Sequence, residues 1–248
     1  MNDCILMENM TWQEIQNAIL NGSNSVIFAV SSIEQHGPHL PISTDSVIGE
    51  EVARRVAVRL DKTLVAPTIR PGYAPSNMSF PGTITLQSQT LSMMIRDYCV
   101  SLARFFKNIV VICAHGGNLP ILQLACREAA ETLPNANIIP IYGIAVYAPE
   151  DKKGLFGREE GFHANRTETS WMLHIRQDLV RKDKIKRDPM QLPKDIIDPS
   201  RILRQGMISE VSSTGVLGDP MGANAEEGRK VIDAIVNNMA REIRLLLR

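Results

Sequence analysis

Neither sign of charge is in excess in this chain: 27 lysines and arginines stand against 27 aspartates and glutamates over 248 residues. That balance gives nothing to draw the protein to nucleic acid or to an anionic membrane, and it leaves a small molecule as the expected partner. The four cysteines, Cys4, Cys99, Cys113 and Cys126, form no C-x-x-C pair. The segments around Cys113 and Cys126 are apolar, where a free thiol packs as a small hydrophobe, so the cysteines are read as reduced and structural. No segment reaches the roughly eighteen apolar residues of a membrane span, and the opening MNDCILMENMTWQEI lacks a basic region followed by an apolar one. The cytoplasm is the expected compartment. Also missing are G-x-x-x-x-G-K-[ST], G-x-G-x-x-G after a strand, H-E-x-x-H and G-x-S-x-G. Nucleotide cradles, zincin helices and nucleophile elbows therefore have no support. Internal repeats, low-complexity tracts and linkers are absent too.

What is present reads as a globular protein. Apolar residues make up 44% and charged residues 22%, and at this length one α/β domain over residues 1–248 is sufficient. Trp12, Ile15, Ala18 and Ile19 recur at helical spacing behind a threonine cap, which predicts a helix over 11–21. Residues 25–33, SVIFAVSSI, form a nearly continuous β-branched run of the kind found in a strand buried on both faces. A helix over 46–60 follows, with Ile48, Val52, Val56 and Leu60 four apart. The alternation then recurs: strand 63–69, helix 88–106, strand 108–114, helix 119–133, strand 137–144, and helices over 165–179 and 224–247. Strands alternating with helices predict a mostly parallel sheet covered on both sides. Residues 71–82 and 183–222, rich in Pro, Gly and polar residues, read as surface loops, some of which could close over a site.

The chemistry is concentrated just after the apolar runs. Residues 33–45, IEQHGPHLPISTD, hold Glu34, His36, His39 and Asp45. Glu34 and His36 are two apart at a strand end, so in extended geometry they leave on the same face. Asp45 stands just ahead of a helix, where backbone donors and the helix dipole hold a carboxylate. His115 follows another strand. Ligands in open α/β sheets bind beyond the carboxyl ends of the strands, so the two loops could share one crevice. Two carboxylates and two imidazoles suit Zn²⁺, Mn²⁺ or Fe²⁺ better than Ca²⁺, and an aspartate between two half-sites could bridge two ions. Plainer readings stay open: Asp45 as a helix N-cap, His36 and His39 as surface histidines, and His115-Gly116-Gly117-Asn118 as a glycine-rich turn. In residues 160–170, EGFHANRTETS, His163 sits in a loop as a candidate acid or base. Glu168 could be a ligand, an orienting partner, or the third residue of a capping box started by Asn165. His174 reads as a helix residue, and Ser212, Ser213 and Thr214 as turn residues.

These stretches together resemble the creatininase (creatinine amidohydrolase) family over almost the whole length. The likeness is carried by S-x-x-E-x-H-G-P-H-L-P-x-x-T-D at 31–45, F-P-G-T at 80–83, H-G-G-N at 115–118 and H-A-x-x-x-E-T-S at 163–170, with G-V-L-G-D-P at 215–220 as a weaker fifth. The resemblance implies a three-layer α/β/α fold and a divalent-metal centre of two ions per subunit. It implies hydrolysis of a C–N bond in a cyclic amide or formamide by metal-activated water, and a homo-oligomer such as a hexamer. By position, Glu34, Asp45 and His115 would hold one ion, His36 and the bridging Asp45 the other, and His163 would be the acid-base histidine. Ser79, Gly116, Gly117 and Asn118 are expected to contact substrate. Creatininase proper has H-x-E-N, whose glutamate completes the second ion. Here Gly117 takes that place and Glu168 is the natural substitute. Nor are there counterparts, Trp12 and Trp171 being the chain's two tryptophans, to the aromatic residues that sandwich creatinine. Creatinine is therefore not the expected substrate. The H-G-G-N variant is similar to branches that deformylate a pyrimidine intermediate, trim a peptide cofactor precursor, or hydrolyse an oxidised inositol. A polyol-ring hydrolase and a binding module without turnover are the competing expectations.

Overall fold

The structure, a computed structural model, describes residues 5–149, 161–187 and 208–247. Four parallel strands form its sheet in the order β2-β1-β3-β4: β1 Ser25–Val30, β2 Thr63–Val65, β3 Asn108–Cys113 and β4 Asn137–Ile141. All of β1 and β3 is buried, as unbroken apolar runs require when both faces are covered. Val26, Phe28 and Val30 face one core, while Ile27 and Ala29 face the other, following the two-residue period of a strand. The predicted strand 63–69 is regular to Val65 only. It continues as single bonds from Ala66 and Ile69 to β1 carbonyls.

Against the Phe28 side lie α3 Ser88–Leu102 and α4 Leu119–Thr132, through Leu91, Ile95, Cys99, Leu122 and Ala125. The first helix, α1 Trp12–Leu20, joins them with Ile15, Ala18 and Ile19. Thr11 and Glu14 form its reciprocal capping box. Trp12, expected on the apolar stripe, is instead 68% exposed, and Ile15, Ala18 and Ile19 alone of that stripe pack on the core. On the opposite face pack α2 Thr44–Leu60, α5 Arg166–Ile175 and α7 Ala225–Leu246, through Val52, Val56, Met172, Val231, Ile235 and Met239. Three layers, α/β/α, result. Cys99, Cys113 and Cys126 are free and buried; Cys4 lies outside the described residues. Among the described residues, no helix is long and apolar enough to cross a membrane.

The segment read as a surface loop over 183–222 is not one in its described second part. A short helix α6 Ile208–Val211 and a strand β6 Leu217–Gly218 bury Ile208, Val211, Val216 and Leu217. β6 pairs antiparallel with β5 Gly161–His163. His163 is therefore a strand residue rather than a loop residue. Residues 188–207 lie outside the described residues. The 71–82 segment also packs inward, burying Gly72, Ala74 and Asn77. Asn77 within it turns its amide to Glu34 and Gln35, while Met78 and Ser79 are exposed.

The α5–α7 crossing depends on Gly228. A Cβ there would stand 2.0 Å from the Ser170 carbonyl oxygen, a backbone atom that cannot move aside. Gly228→Ala should cost about 1–3 kcal/mol through forced separation of the helices, despite alanine's better helix propensity. Thermal denaturation checks this, and an unchanged or raised midpoint would refute it.

Candidate metal centre

The carboxyl ends of β1 and β3 are neighbours, with Val30 paired to Cys113. The chains leaving them must therefore run side by side. Three anchors fix these segments. The Ser46 hydroxyl donates to the Ser32 carbonyl at 3.0 Å, tying the start of α2 to the end of β1. The Asn118 amide donates to the Ser31 carbonyl at 2.8 Å and accepts from the Tyr73 N–H at 2.8 Å. Thr83, in F-P-G-T, accepts the Gln35 N–H at 3.2 Å.

Held this way, Glu34, His36, Asp45, His115, His163 and Glu168 converge. Three overlapping groups have ligand atoms within 4.8 Å of one another: Glu34, Asp45, His115; His36, Asp45, Glu168; and Glu34, His36, His163. Asp45 is common to the first two. Its Oδ2 lies 3.1 Å from His115 Nδ1 and its Oδ1 lies 3.2 Å from His36 Nε2. The Ser32 hydroxyl also donates to Oδ2 at 2.8 Å. Asp45 is in the first turn of α2, with Ser43 at the N-cap position, so the plain N-cap reading of Asp45 is set aside. His36 and His39 are fully buried rather than on the surface. His39 Nε2 faces the Thr169 hydroxyl at 2.9 Å.

The tautomers follow from the partners. His36 Nδ1 is 3.2 Å from the Glu34 carbonyl and His115 Nε2 is 3.1 Å from the Tyr73 carbonyl. A carbonyl only accepts, so those nitrogens carry hydrogen. The opposite nitrogens then aim lone pairs at Asp45 and Glu34, where acceptor meets acceptor. His36 Nε2 is buried and faces Asp45 Oδ1 at 3.2 Å, a contact that needs a proton or a cation between the two atoms. The ion-pair partners of Glu34, Asp45 and Glu168 among the described residues are all histidines. Buried carboxylates facing imidazole lone pairs are a fit for divalent cations.

Where no cation sits, protons take its place. Burial works against a charged His36, but Asp45, Glu168 and Glu34 outweigh it and push the imidazole up to about 10. Burial is likewise outweighed at His115 by Glu34 and Asp45, raising it well above its ordinary value. Asp45 is held far below the usual carboxylate range, its burial overcome by His36 and His115. Burial raises Glu168 to about 7.

Glu168 serves two ends of its surroundings. Its N–H donates to Asn165 Oδ1 at 3.1 Å, as a capping box requires, but its own Oε2 accepts from Ala164 N at 2.6 Å rather than from Asn165. Ala164 is in the left-handed region, with φ 52°, which turns its N–H toward that carboxylate. At Gly117 a Cβ would lie 2.4 Å from the Tyr73 carbonyl oxygen and 2.5 Å from His115 Nε2. The backbone there admits no side chain, and the carboxylate near His36 arrives from α5 instead.

A cavity of about 560 Å³ opens onto this cluster. Gly116 and Gly117 line it, as do His163, Ile208 and Leu217. Two residues expected at the substrate do not. Ser79 is exposed, and Ser76 and Asn77 stand on the wall in its stead. Asn118 is buried with its amide spent on Ser31 and Tyr73. Trp12 and Trp171 are also away from the cavity, and Tyr73 is the single aromatic residue among the described lining. His174 stands apart, its Nε2 3.0 Å from the Arg55 guanidinium. Ser32, Gln35 and Asn77 were missed as site residues: Ser32 and Gln35 stand inside the first motif, whereas nothing in the sequence marks Asn77.

Comparison with known proteins identifies the family. The model of the family described as "Creatininase: Creatinine amidohydrolase" matches residues 8–243. The chain is 32% identical to a mycofactocin precursor peptide peptidase of Mycobacterium tuberculosis, over 89% of this chain and 85% of that one. It is 27% identical to a creatinine amidohydrolase of Pseudomonas putida, over 98% of both chains. A solved creatininase structure titled "Creatininase Mn" superposes with a TM-score of 0.80 at 25% identity, covering 97% of each chain.

Cation binding must displace the protons from His36 and His115. Adding Zn²⁺ or Mn²⁺ to metal-free protein should release about two protons per chain near neutral pH, with affinity rising as pH rises from roughly 6 to 8. At a hundred times Kd the fold should gain about 2.7 kcal/mol. Titration calorimetry in buffers of differing ionisation enthalpy counts the protons. Binding without proton release would contradict this arrangement.

Proposed function

Because the chain belongs to the creatininase family, whose members are metal-dependent hydrolases, we propose that it hydrolyses an amide C–N bond with water activated between two divalent cations. The observation that carries this reading is Asp45, whose two oxygens face His36 and His115 separately. Glu34, Asp45 and His115 would hold one cation, and His36, Asp45 and Glu168 the other. The mixed nitrogen and oxygen donors suit Zn²⁺, Mn²⁺ or Fe²⁺. Bound there, the ions would lower the pKa of water to about 7 and polarise the substrate carbonyl. Three carboxylates are fewer than the charges of two dications, so the centre would keep a net positive charge for the oxyanion that forms on attack.

His163 is the proton carrier in this scheme. Its Nε2 faces the Gln35 carbonyl at 2.8 Å and so bears hydrogen, leaving Nδ1 turned to the centre, 3.7 Å from Glu34 Oε1. Burial and the charged His36 of the metal-free protein lower its pKa to about 4, and the hydrogen on Nε2 leaves Nδ1 a lone pair toward the centre. A neutral imidazole so placed can take a proton from the attacking water and pass it to the leaving nitrogen.

The substrate proposed is a cyclic amide or formamide other than creatinine, a reading supported by Tyr73 being the single aromatic residue among the described lining. A peptide amide is the second reading. It is supported by the peptidase named among relatives near 32% identity and by a cavity of about 560 Å³.

His163→Ala should lower kcat by about 10²–10⁴-fold while bound metal, measured by elemental analysis, stays at the wild-type level. Loss of metal with the activity would make His163 a ligand instead. A parallel screen of formamides, lactams and short peptides identifies the substrate. A metal-loaded protein inert to all of them would overturn the amide reading.

A further inference from the structure

Two amide side chains beside the centre form a relay whose direction is fixed by the main chain. Gln35 Oε1 accepts the Gly37 N–H at 2.9 Å, so its oxygen end is assigned. Its Nε2 therefore donates, and it reaches the Gly215 carbonyl at 3.0 Å and Asn77 Oδ1 at 2.8 Å, with His163 Nε2 also 3.0 Å away. With its oxygen taken by that donor, Asn77 must turn its nitrogen the other way. Asn77 Nδ2 accordingly donates to Glu34 Oε2 at 3.0 Å. An amide flip is ordinarily ambiguous. Here a backbone donor at one end and a backbone acceptor beside the other leave one solution.

The relay is also built tightly. Gln35 and Asn77 are buried. Gly215 has φ 83°, and a Cβ on it would lie 1.9 Å from Gln35 Oε1. Only glycine lets that carbonyl approach the amide.

We propose that Gln35 and Asn77 are positioning residues that hold Glu34 as a one-oxygen ligand, with Oε2 occupied by Asn77 and Oε1 alone left to a cation. This rests on the metal reading above. Glu34 Oε1 is the oxygen that faces His115 Nδ1, at 3.3 Å, and His163 Nδ1, at 3.7 Å. A carboxylate free to rotate could instead chelate one ion through both oxygens and draw it off the line to Asp45. Neither amide need touch the substrate to have this effect.

Gln35→Glu tests the relay from its far end, because it replaces the donor with an acceptor at nearly constant shape. Asn77 would then present its nitrogen to the introduced carboxylate and its oxygen to Glu34, placing acceptor against acceptor. Metal affinity measured by chelator competition should fall about 10–100-fold, as for other partners of metal ligands; kcat, expected to fall more than KM changes, is read only in Asn77→Ala, because Gln35 Nε2 also lies 3.0 Å from His163 Nε2. Asn77→Ala should do the same, and the double variant should be no worse than either single one. A crystal structure of metal-free Gln35→Glu should show the Glu34 carboxylate rotated from its wild-type position, and Asn77→Ala serves if that variant fails to fold. Wild-type affinity in both variants, strictly additive losses, or an unmoved Glu34 would overturn the relay. Should the wild-type protein bind no cation, the metal reading falls, and the Glu34 orientation in the metal-free variant still decides the relay.

Discussion

Three carboxylates in one small buried volume are the constraint on which the site depends. Two like charges about 4 Å apart repel by about 4 kcal/mol at an effective dielectric constant of 20. The start of α2 offers Asp45 about 0.3–1 kcal/mol through the helix dipole, which cannot offset that repulsion. Positive charge must lie between the groups, and protons on His36 and His115 provide it in the metal-free chain. The centre is thus a place where the fold tolerates cations or protons but not a vacancy of charge.

Sheet topology brings the charges together. β1 and β3 are adjacent and parallel, so the loops carrying Glu34 and His36 on one side and His115 on the other begin a strand spacing apart. Buried hydroxyls and amides then remove the freedom a loop would have. Ser46, Asn118 and Thr83 each satisfy a backbone group of the same segment, residues 31–35. The energetic return is modest for each bond, about 0.5–1.5 kcal/mol. Their effect is geometric: they fix the segment that carries Glu34 and His36 against the elements that carry Asp45 and His115.

Much of this is legible in the sequence. Continuous β-branched runs locate the buried strands, and helical spacing locates α2, α3, α4 and α7 to within a few residues, because those signals report local burial. Glu34, His36, Asp45 and His115 can be grouped because each stands at or just beyond the end of an apolar run, and parallel topology places such ends together. What fails is whatever depends on contacts distant along the chain. Asn118 reads as a substrate contact because it closes a glycine-rich motif, yet its amide is consumed by Ser31 and Tyr73. Ser79 reads as a site residue, whereas Asn77, two residues away, is the one that turns inward to Glu34, since no periodicity tells which residue of an irregular loop does so. The polar 208–222 segment reads as surface because composition cannot separate polarity facing water from turns around a buried Val216 and Leu217.

The placement of Glu168 bears on what the cavity can admit. In creatininase proper the corresponding carboxylate belongs to the H-x-E-N segment, as the sequence resemblance implies, and would stand where Gly117 is here. Gly117 leaves no space for it, since the Tyr73 carbonyl and the His115 ring already fill that direction. Supplying the group from α5 keeps a third oxygen donor near His36 and Asp45 and frees the opposite wall. At Gly116 a Cβ would meet nothing within 4 Å, so the cavity is open on the side where the other arrangement places side chains. Glu168 belongs to the H-A-x-x-x-E-T-S stretch that carries the family likeness, so the departure from H-x-E-N is the side chain missing at Gly117, which changes the shape of the space around the cluster. Selection for a different amide could act on that wall with little effect on the centre, because the glycines lining it contribute no side chain to the cluster of ligands.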